Sequence, residues 1–113
     1  YVNAHGTSTM ADAIETAAIK AVLGERAYEV VVGSTKSMTG HLLGATGALE
    51  TIVSTLVCRT GKIPPTINFQ ASDPECDLEY AHGGLIERPI RLALSNSFGF
   101  GGHNVCLAIR RWD

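Results

Sequence analysis

Three polar loops hold the side chains of this chain that are best suited to chemistry. The loops span 5–9, 34–41 and 96–104, and each follows a predicted strand or joins two strands. Ligand sites of open α/β sheets lie beyond the carboxyl ends of the strands. His5 and His41 stand in two of these loops, so the pattern predicts a ligand site that includes both imidazoles.

His41 is predicted to stand at the start of a long helix, where the positive end of the helix dipole favours the neutral imidazole. A neutral imidazole with its proton on Nε2 donates a hydrogen bond without adding charge, and such a donor stabilises a developing oxyanion. The alternative is that each histidine is structural or only exposed. The residue pattern leaves both interpretations open.

Lys36 and Glu50 are the only formally charged residues between Val30 and Cys58. A buried charge is costly unless it is paired. Glu50 therefore either lies at a solvated edge of its helix, or pairs with Lys36 or with backbone donors behind His41. Both interpretations are consistent with the sequence.

The other candidate groups form no known metal or phosphate motif. The four histidines lack a zinc-ligand spacing, and 99–102 match neither a P-loop nor a dinucleotide fingerprint. The three cysteines have no base beside them in the sequence, which favours small packed residues over nucleophiles. We therefore expect no bound cofactor and no catalytic metal.

Length and composition exclude several classes of protein. The chain has 113 residues, a net charge of −2 and 18% charged residues, which fits one folded domain. The near-neutral balance argues against nucleic-acid binding. No apolar run is long enough to span a membrane. Cysteines without a Cys-x-x-Cys pair are typical of a reducing compartment.

The hydrophobic pattern predicts an α/β sheet that begins parallel and ends in an antiparallel strand pair. Asp12 and Glu15 resemble a capping box at the start of the first helix, and Gly24 is a typical residue for its end. The predicted strands are 1–4, 29–33, 90–95 and 104–110, and the predicted helices are 12–23 and 41–58.

The helix predicted at 41–58 has two unlike faces. The face predicted to be core is large and apolar: Leu42, Ala45, Leu49, Ile52 and Leu56. The face predicted to meet a second helix is small: Gly44, Gly47, Thr51, Ser54 and Cys58. Because this helix is poor in charge and the first residues look like mid-strand, we expect the chain to be part of a larger globular body.

Four ordered motifs, at 3–9, 34–41, 63–66 and 96–102, resemble those of the β-ketoacyl-[acyl-carrier-protein] synthases. The run 41–50 is most similar to the type II elongating branch of fatty-acid synthesis. The resemblance implies the C-terminal half of a thiolase-like fold, layered α/β/α/β/α in the complete enzyme. Residues 1–113 would form this C-terminal domain, and the nucleophilic cysteine would belong to an N-terminal half that is absent here.

The resemblance also implies a decarboxylating Claisen condensation of malonyl carrier protein with an acyl-enzyme thioester. His5 and His41 match the two histidines that hold the malonyl thioester oxygen while negative charge develops. Lys36 matches the family lysine and Glu50 the glutamate packed beneath the site, with roles in orientation and electrostatics. Without the cysteine, we expect this chain alone to be inactive.

Further family positions carry over one by one. Thr7 and Thr9 match threonines that bind the pantetheine arm, and Phe100, between Gly99 and Gly101, matches an aromatic gate. A structural monovalent-cation site described in some members matches the following residues: Asn3, Glu50 and Asn96.

The resemblance also implies which partners the chain has and where it acts. They are acyl carrier protein carrying acyl and malonyl groups, the N-terminal half of the same enzyme and a second copy in a homodimer. We expect a bacterial cytoplasm, with a plastid or the mitochondrial matrix as alternatives. The functional alternatives are a polyketide ketosynthase, its chain-length-factor partner, and a non-catalytic fragment that only packs against a partner half.

Overall fold

The computed structural model describes all 113 residues of the chain. Three α-helices and six strands follow one another in the order β1-α1-β2-α2-α3-β3-β4-β5-β6. The helices are α1 (Ala11–Leu23), α2 (Lys36–Thr39) and α3 (Thr46–Thr60). The strands are β1 (Val2–Asn3), β2 (Val32–Gly33), β3 (Lys62–Ile63), β4 (Ile86–Glu87), β5 (Leu92–Gly99) and β6 (His103–Arg110).

The main sheet has the predicted mixed topology. Its strand order is β2-β1-β5-β6, with β1 parallel to both β2 and β5. β5 and β6 pair antiparallel along their whole length, from Leu92 opposite Arg110 to Gly99 opposite His103. The α/β class and the antiparallel end of the sheet are therefore confirmed.

Helices cover both faces of this sheet because alternate strand residues point to opposite sides. Val2 and Val32 pack with Ile19 of α1 in one core cluster. Their neighbours Tyr1 and Val31 pack on the other side, in a second core cluster completed by Val57, Cys58, Ile63, Ala81, Ile90 and Ala93. The result is a three-layer arrangement, with α1 on one face and α3 on the other.

The start of the long helix was predicted too early. A short helix, α2, occupies part of the segment predicted to be a polar loop, and α3 begins only at Thr46 after a single 3₁₀ turn at Leu43–Ala45. Leu43 itself has a φ of 52°, which breaks the α-helical path. His41 therefore lies in the connection before α3, not in its first turn.

The two faces of α3 are also reversed relative to the prediction. Ser54 and Cys58 of the small face are buried, and the Cys58 thiol lies 3.6 Å from the carbonyl oxygen of Ile109 in β6. A Cβ on Gly47 would lie 3.5 Å from Ser97 Oγ of β5. The small face thus packs on the sheet and not on a second helix, and small side chains let the helix lie close to the strands.

The apolar face of α3 that was predicted to be core instead points outward. Ile52 and Leu56 are exposed to 57% and 48%, and Leu42 is exposed to 40%. α3 therefore carries exposed apolar side chains on the side that faces away from the sheet. None of the helices combines the length and the hydrophobicity that a membrane span requires.

Two features near the turns were not predicted. β3 and β4 form a small antiparallel pair, joined by a long irregular connection that hides their pairing from the local sequence pattern. The β5–β6 strands also extend further than predicted. Only 100–102 remain as the turn, with φ near 81° at Gly101 and Gly102.

Gly61 is the glycine on which the end of α3 depends. Its φ is 72°, its N–H donates to Val57 O at 2.8 Å, and a Cβ there would lie 2.7 Å from Arg88 O. We predict that Gly61→Ala destabilises the protein by more than the roughly 1–2 kcal/mol of a left-handed alanine, because the backbone oxygen cannot move freely. Urea unfolding of the protein that carries this chain measures the loss.

Gly61→Asn separates the two causes, because asparagine tolerates the left-handed conformation but carries the same Cβ. It should recover only part of the stability lost in Gly61→Ala, because the close contact of its Cβ with Arg88 O remains. Gly83→Ala is the control, because a Cβ at Gly83 meets nothing within 4 Å and its φ is not left-handed. Full recovery of stability in Gly61→Asn would show that the close contact with Arg88 contributes nothing.

Candidate active site

The sheet topology brings the three polar loops to one edge. β1, β2 and β5 run parallel, so the chain leaves Asn3, Gly33 and Gly99 at the same end of the sheet. The loop after β1 carries His5, and the connection after β2 leads through α2 to His41. The structure therefore brings the loops of His5 and His41 to one edge of the sheet.

His5 and His41 lie in contact at this edge. Their ring centroids are 5.5 Å apart, and the ring planes meet at 83°, an edge-to-face arrangement. The centroid of the Phe98 ring, on β5, lies 5.4 Å from that of His5. His5 is half-buried and His41 is exposed. Phe98 was not among the predicted site residues, because only the pairing of the strands places β5 beside β1.

A hydrogen bond from the backbone determines the tautomer of His41. Its Nδ1 accepts from the backbone N–H of Leu43 at 3.1 Å and also lies 3.0 Å from Thr46 Oγ1. A backbone N–H can only donate, so Nδ1 carries no proton and the neutral ring holds its proton on Nε2. The sequence predicted a neutral His41 from a helix dipole. In the structure, the bent backbone at Leu43 instead fixes the proton of the neutral ring on Nε2.

His5 is held neutral by its surroundings. Burial lowers the pKa of its imidazole, and the ammonium of Lys36 and the neighbouring His41 ring lower this pKa further, while Glu15 and Asp12 oppose the shift. Its Nδ1 is buried without a hydrogen-bond partner in the chain. This lowered pKa favours the uncharged form of the His5 imidazole at neutral pH.

Glu15 and Asp12 hold the His5 loop and do not cap α1, which corrects the predicted capping box. The two carboxylate oxygens of Glu15 accept from His5 N–H at 2.9 Å and Gly6 N–H at 3.0 Å, and Asp12 accepts from Thr7 N–H at 3.1 Å. Met10, at the helix N-cap position, makes no side-chain capping bond. Asp12 and Glu15 resemble a capping box because they lie three residues apart in the first turns of α1. The N–H groups that they accept from, however, belong to the preceding loop.

Behind the histidines, Lys36 and Glu50 form a buried ion pair, so of the two interpretations of Glu50 the paired one is confirmed. Lys36 Nζ donates to Glu50 Oε1, and the two side chains are 5% and 2% exposed. Burial raises the pKa of the Glu50 carboxyl, and the Lys36 ammonium opposes that rise. The pair joins α2 to α3 beneath the connection that carries His41.

The remaining predicted site residues lie around this centre. Thr7 Oγ1 and Thr9 Oγ1 are 2.9 Å apart at the surface of the His5 loop. Phe100 is fully exposed at the tip of the β5–β6 turn, and neither histidine contacts it. Gly99 and Gly101 flank Phe100 close to His103, with a Cβ at Gly99 3.4 Å from His103 O.

The residues predicted for a monovalent cation fit such an ion in part. Asn3 is fully buried, and its Oδ1 has no hydrogen-bond partner. Glu50 Oε2 is likewise buried and without a partner. Amide and carboxylate oxygens are ligands that hard cations prefer. Asn96 instead uses its Nδ2 to donate to Glu15 Oε1 at 3.0 Å, which leaves only its carbonyl oxygen for an ion.

Comparison with known proteins shows to which family a chain with this histidine pair and this buried ion pair belongs. The family described as beta-ketoacyl synthase, C-terminal domain, matches residues 1–70, which include both histidines, Lys36 and Glu50. The chain belongs to this family. A 3-oxoacyl-[acyl-carrier-protein] synthase 2 from Synechocystis is 55% identical over 100% of the chain and 27% of its own length. The synthase of the same name from Coxiella burnetii is 53% identical over 98% of the chain and 27% of its own length.

Solved ketosynthase structures share the fold of this β-ketoacyl synthase domain. A beta-ketoacyl synthase from Burkholderia phymatum has a TM-score of 0.91 and 40% identity, over 100% of this chain and 28% of that one. A complex of a type II polyketide acyl-carrier protein with its ketosynthase has a TM-score of 0.93 and 43% identity, over 97% of this chain and 27% of that one. These neighbours confirm the predicted thiolase-like fold. The chain spans about a quarter of the length of its curated relatives.

No cysteine of the domain forms a hydrogen bond with either histidine of the pair. Cys58 is twelve residues beyond the first residue of α3, about 18 Å along the helix axis, and burial raises the pKa of its thiol. Burial also raises the thiol pKa of Cys106, on β6. A raised pKa disfavours the thiolate that a nucleophile requires.

The anchoring of the His5 loop can be tested at Glu15. In Glu15→Gln, one carboxylate oxygen becomes an NH₂ group that cannot accept, so at least one of three N–H donors loses its partner. We predict a loss of about 1–3 kcal/mol in the free energy of unfolding, measured by urea denaturation. The exposed Glu25→Gln should cost almost nothing. Equal stability of the two variants would show that Glu15 does not hold the loop.

The environment of His5 predicts a pH dependence. Its folded-state pKa lies below the ordinary value of about 6.5, so below that pH the unfolded chain binds this proton more readily. This group's contribution to stability is therefore lost as the pH falls from about 6.5 through the folded pKa. The chemical shift of a His5 ring carbon, followed by NMR as the pH is changed, measures that pKa.

In the double variant Lys36→Met/Glu50→Gln, the pKa of His5 should rise toward 6.5, because the nearby ammonium is gone and no lone buried carboxylate is left. A His5 pKa at or above 6.5 in the unaltered protein would contradict the neutral assignment.

Proposed function

We propose that this chain is the C-terminal part of a 3-oxoacyl-[acyl-carrier-protein] synthase that elongates acyl chains in fatty-acid synthesis. The observation that supports it most is the contact of two imidazoles, one of which accepts a backbone N–H on Nδ1 and so presents Nε2 as its donor. The names of the relatives, which are 50–55% identical along this chain, support the same reaction class.

In the proposed reaction, His5 and His41 donate hydrogen bonds to the thioester oxygen of malonyl carrier protein. The bond between the malonyl α-carbon and its carboxylate breaks, carbon dioxide leaves, and the electron pair forms an enolate whose oxygen the two N–H donors stabilise. The enolate carbon then attacks the acyl-enzyme thioester, and the cysteine thiolate departs. Neutral donors suit this step because they stabilise the enolate oxygen without acting as strong acids toward its carbon.

Lys36 and Glu50 are proposed as positioning residues. Their buried pair lies under the connection that carries His41, and the Lys36 charge lowers the pKa of His5. Thr7 and Thr9 are proposed to bind the pantetheine arm, since their hydroxyls face solvent together at the loop surface. Phe100 is proposed as the gate because it stands fully exposed on a turn of three residues, two of them glycine.

A monovalent cation is proposed near Asn3, Glu50 and Asn96, where the unpaired oxygens of Asn3 and Glu50 would coordinate it. Such an ion would stabilise the packing beneath the site by neutralising buried oxygens. The chemistry above uses only the chain's own side chains.

The nucleophilic cysteine is proposed to lie in another part of the protein. None of Cys58, Cys76 and Cys106 contacts a histidine of the pair, and burial raises the thiol pKa of the first and the third. We therefore propose that residues 1–113 act as one C-terminal domain that is inactive without an N-terminal half. The proposed partners are that half, a second copy and acyl carrier protein, in a bacterial cytoplasm.

A polyketide ketosynthase or its chain-length-factor partner is the second candidate. It is favoured by two solved structures similar to this chain, a type II polyketide ketosynthase complex and a ketosynthase/chain length factor, at 43% and 38% identity. Products of the intact protein with malonyl carrier protein distinguish the two, because a polyketide enzyme extends chains whose keto groups have not been reduced.

His5→Ala and His41→Ala test the proposed mechanism in the protein that carries this chain. Each should lower malonyl decarboxylation by about 10²–10³, the usual effect of removing one oxyanion donor. Acylation of the cysteine by acyl carrier protein should remain nearly unchanged, which controls for folding. Decarboxylation at the unaltered rate in either variant would overturn the assignment of that histidine.

A further inference from the structure

Four arginines at the end of the domain far from the histidines have no carboxylate partner in the chain. The chain has nine lysine and arginine residues. Five of them pair with a carboxylate: Lys20, Arg26, Lys36, Lys62 and Arg91. The other four, Arg59, Arg88, Arg110 and Arg111, form no ion pair in the chain.

All four unpaired arginines line the same pair of grooves. The first groove, of about 270 Å³, includes Arg59, Arg110, Arg111 and Trp112. The second, of about 350 Å³, includes Arg59, Arg88 and Arg111. The two grooves share Arg59, Arg111 and Cys58, so they form one continuous surface, which we name the arginine groove.

The arginine groove lies at the end of the sheet opposite to the active site. Arg59 is in the last turn of α3, whereas His41 precedes that helix. Arg110 pairs with Leu92 at the start of β5, whereas Phe98 lies near the end of that strand. A ligand in the groove would therefore not overlap the substrate site.

Contacts within the chain explain the presence of only some of these arginines. Arg59 offsets the negative end of the α3 dipole, and Arg88 donates to Glu29 O at 2.9 Å. Glu87 is the only carboxylate that lines the groove, and Lys62 pairs with it. Arg110 and Arg111 have no side-chain hydrogen bond or ion pair in the chain, so their guanidinium groups are free to bind an anion.

We propose that the arginine groove binds a small ligand with a di- or triphosphate group and a planar aromatic base. Arginine forks match phosphate oxygens in pairs, and several on one surface suit a group with multiple negative charges. Trp112 is 89% exposed beside Arg110 and Arg111, and an exposed indole can stack with a base. The second groove, at about 350 Å³, reaches the lower end of the volumes usual for small-molecule sites.

The test uses the full protein that carries this chain, titrated with pyrophosphate and with ADP by calorimetry at low salt. Arg110→Gln and Arg111→Gln together remove two exposed charges without breaking an internal side-chain contact. This variant should bind pyrophosphate at least about tenfold more weakly, since bonds to charged groups are the strong ones. Lys20→Gln, on α1, is the matched control and should bind as the unaltered protein does.

The ADP titration tests the base. ADP should bind more tightly than pyrophosphate, and Trp112→Ala should remove that difference while pyrophosphate binding remains. Equal affinity for the two ligands in the unaltered protein would overturn the stacking role of Trp112. No pyrophosphate binding at low salt, or binding that is unchanged in the double arginine variant, would overturn the site itself. Condensation activity is not part of this readout, so the result is independent of the proposed function.

Discussion

The buried ion pair of Lys36 and Glu50 is the interaction on which the rest of the structure depends. Removing one partner of such a pair leaves a lone buried charge, at a cost of about 3–5 kcal/mol. Glu50 lies two turns from Cys58 and one turn from Ser54 on a single face of α3. To reach Lys36, that face has to turn inward. The rotation of the helix then follows, with small residues against β5 and β6 and large apolar residues outside.

This rotation also explains how the two histidines come together. With α3 in place, the 3₁₀ turn before it bends the chain so that Leu43 N–H meets the ring of His41. On the other side, Glu15 holds the backbone of His5 and Gly6 from α1. Each ring is thus positioned by a different face of the sheet, and the site exists only where the two helical layers meet.

The outward apolar face of α3 has a consequence for the size of the complete protein. A three-layer α/β unit that ended at α3 would leave Ile52 and Leu56 in water. In a longer protein, this face is proposed to pack against further structure, which fits relatives that are almost four times the length of this chain. The same view accounts for the low charge of the helix, which would then be covered on both sides.

Local pattern alone determined a good part of this domain. Strand-end loops, β-type alternation and the motif order were enough to predict the mixed α/β sheet, the helix at α1 and the candidate roles of His5 and His41. These features are local, because turn residues and side-chain periodicity act over a few positions. The resemblance to the β-ketoacyl synthases was likewise carried by short contiguous runs.

Tertiary structure decided what depends on partners distant in sequence. Glu50 joins Lys36 rather than solvent, and Glu15 binds the loop before its helix rather than the helix itself. Phe98 joins the histidines only because β5 pairs with β1. The four unpaired arginines come together only because α3, β4 and β6 end near one another. The two faces of α3 show the reason. A periodic pattern reveals that a helix has two sides, but only the layers packed against it determine which side is inside.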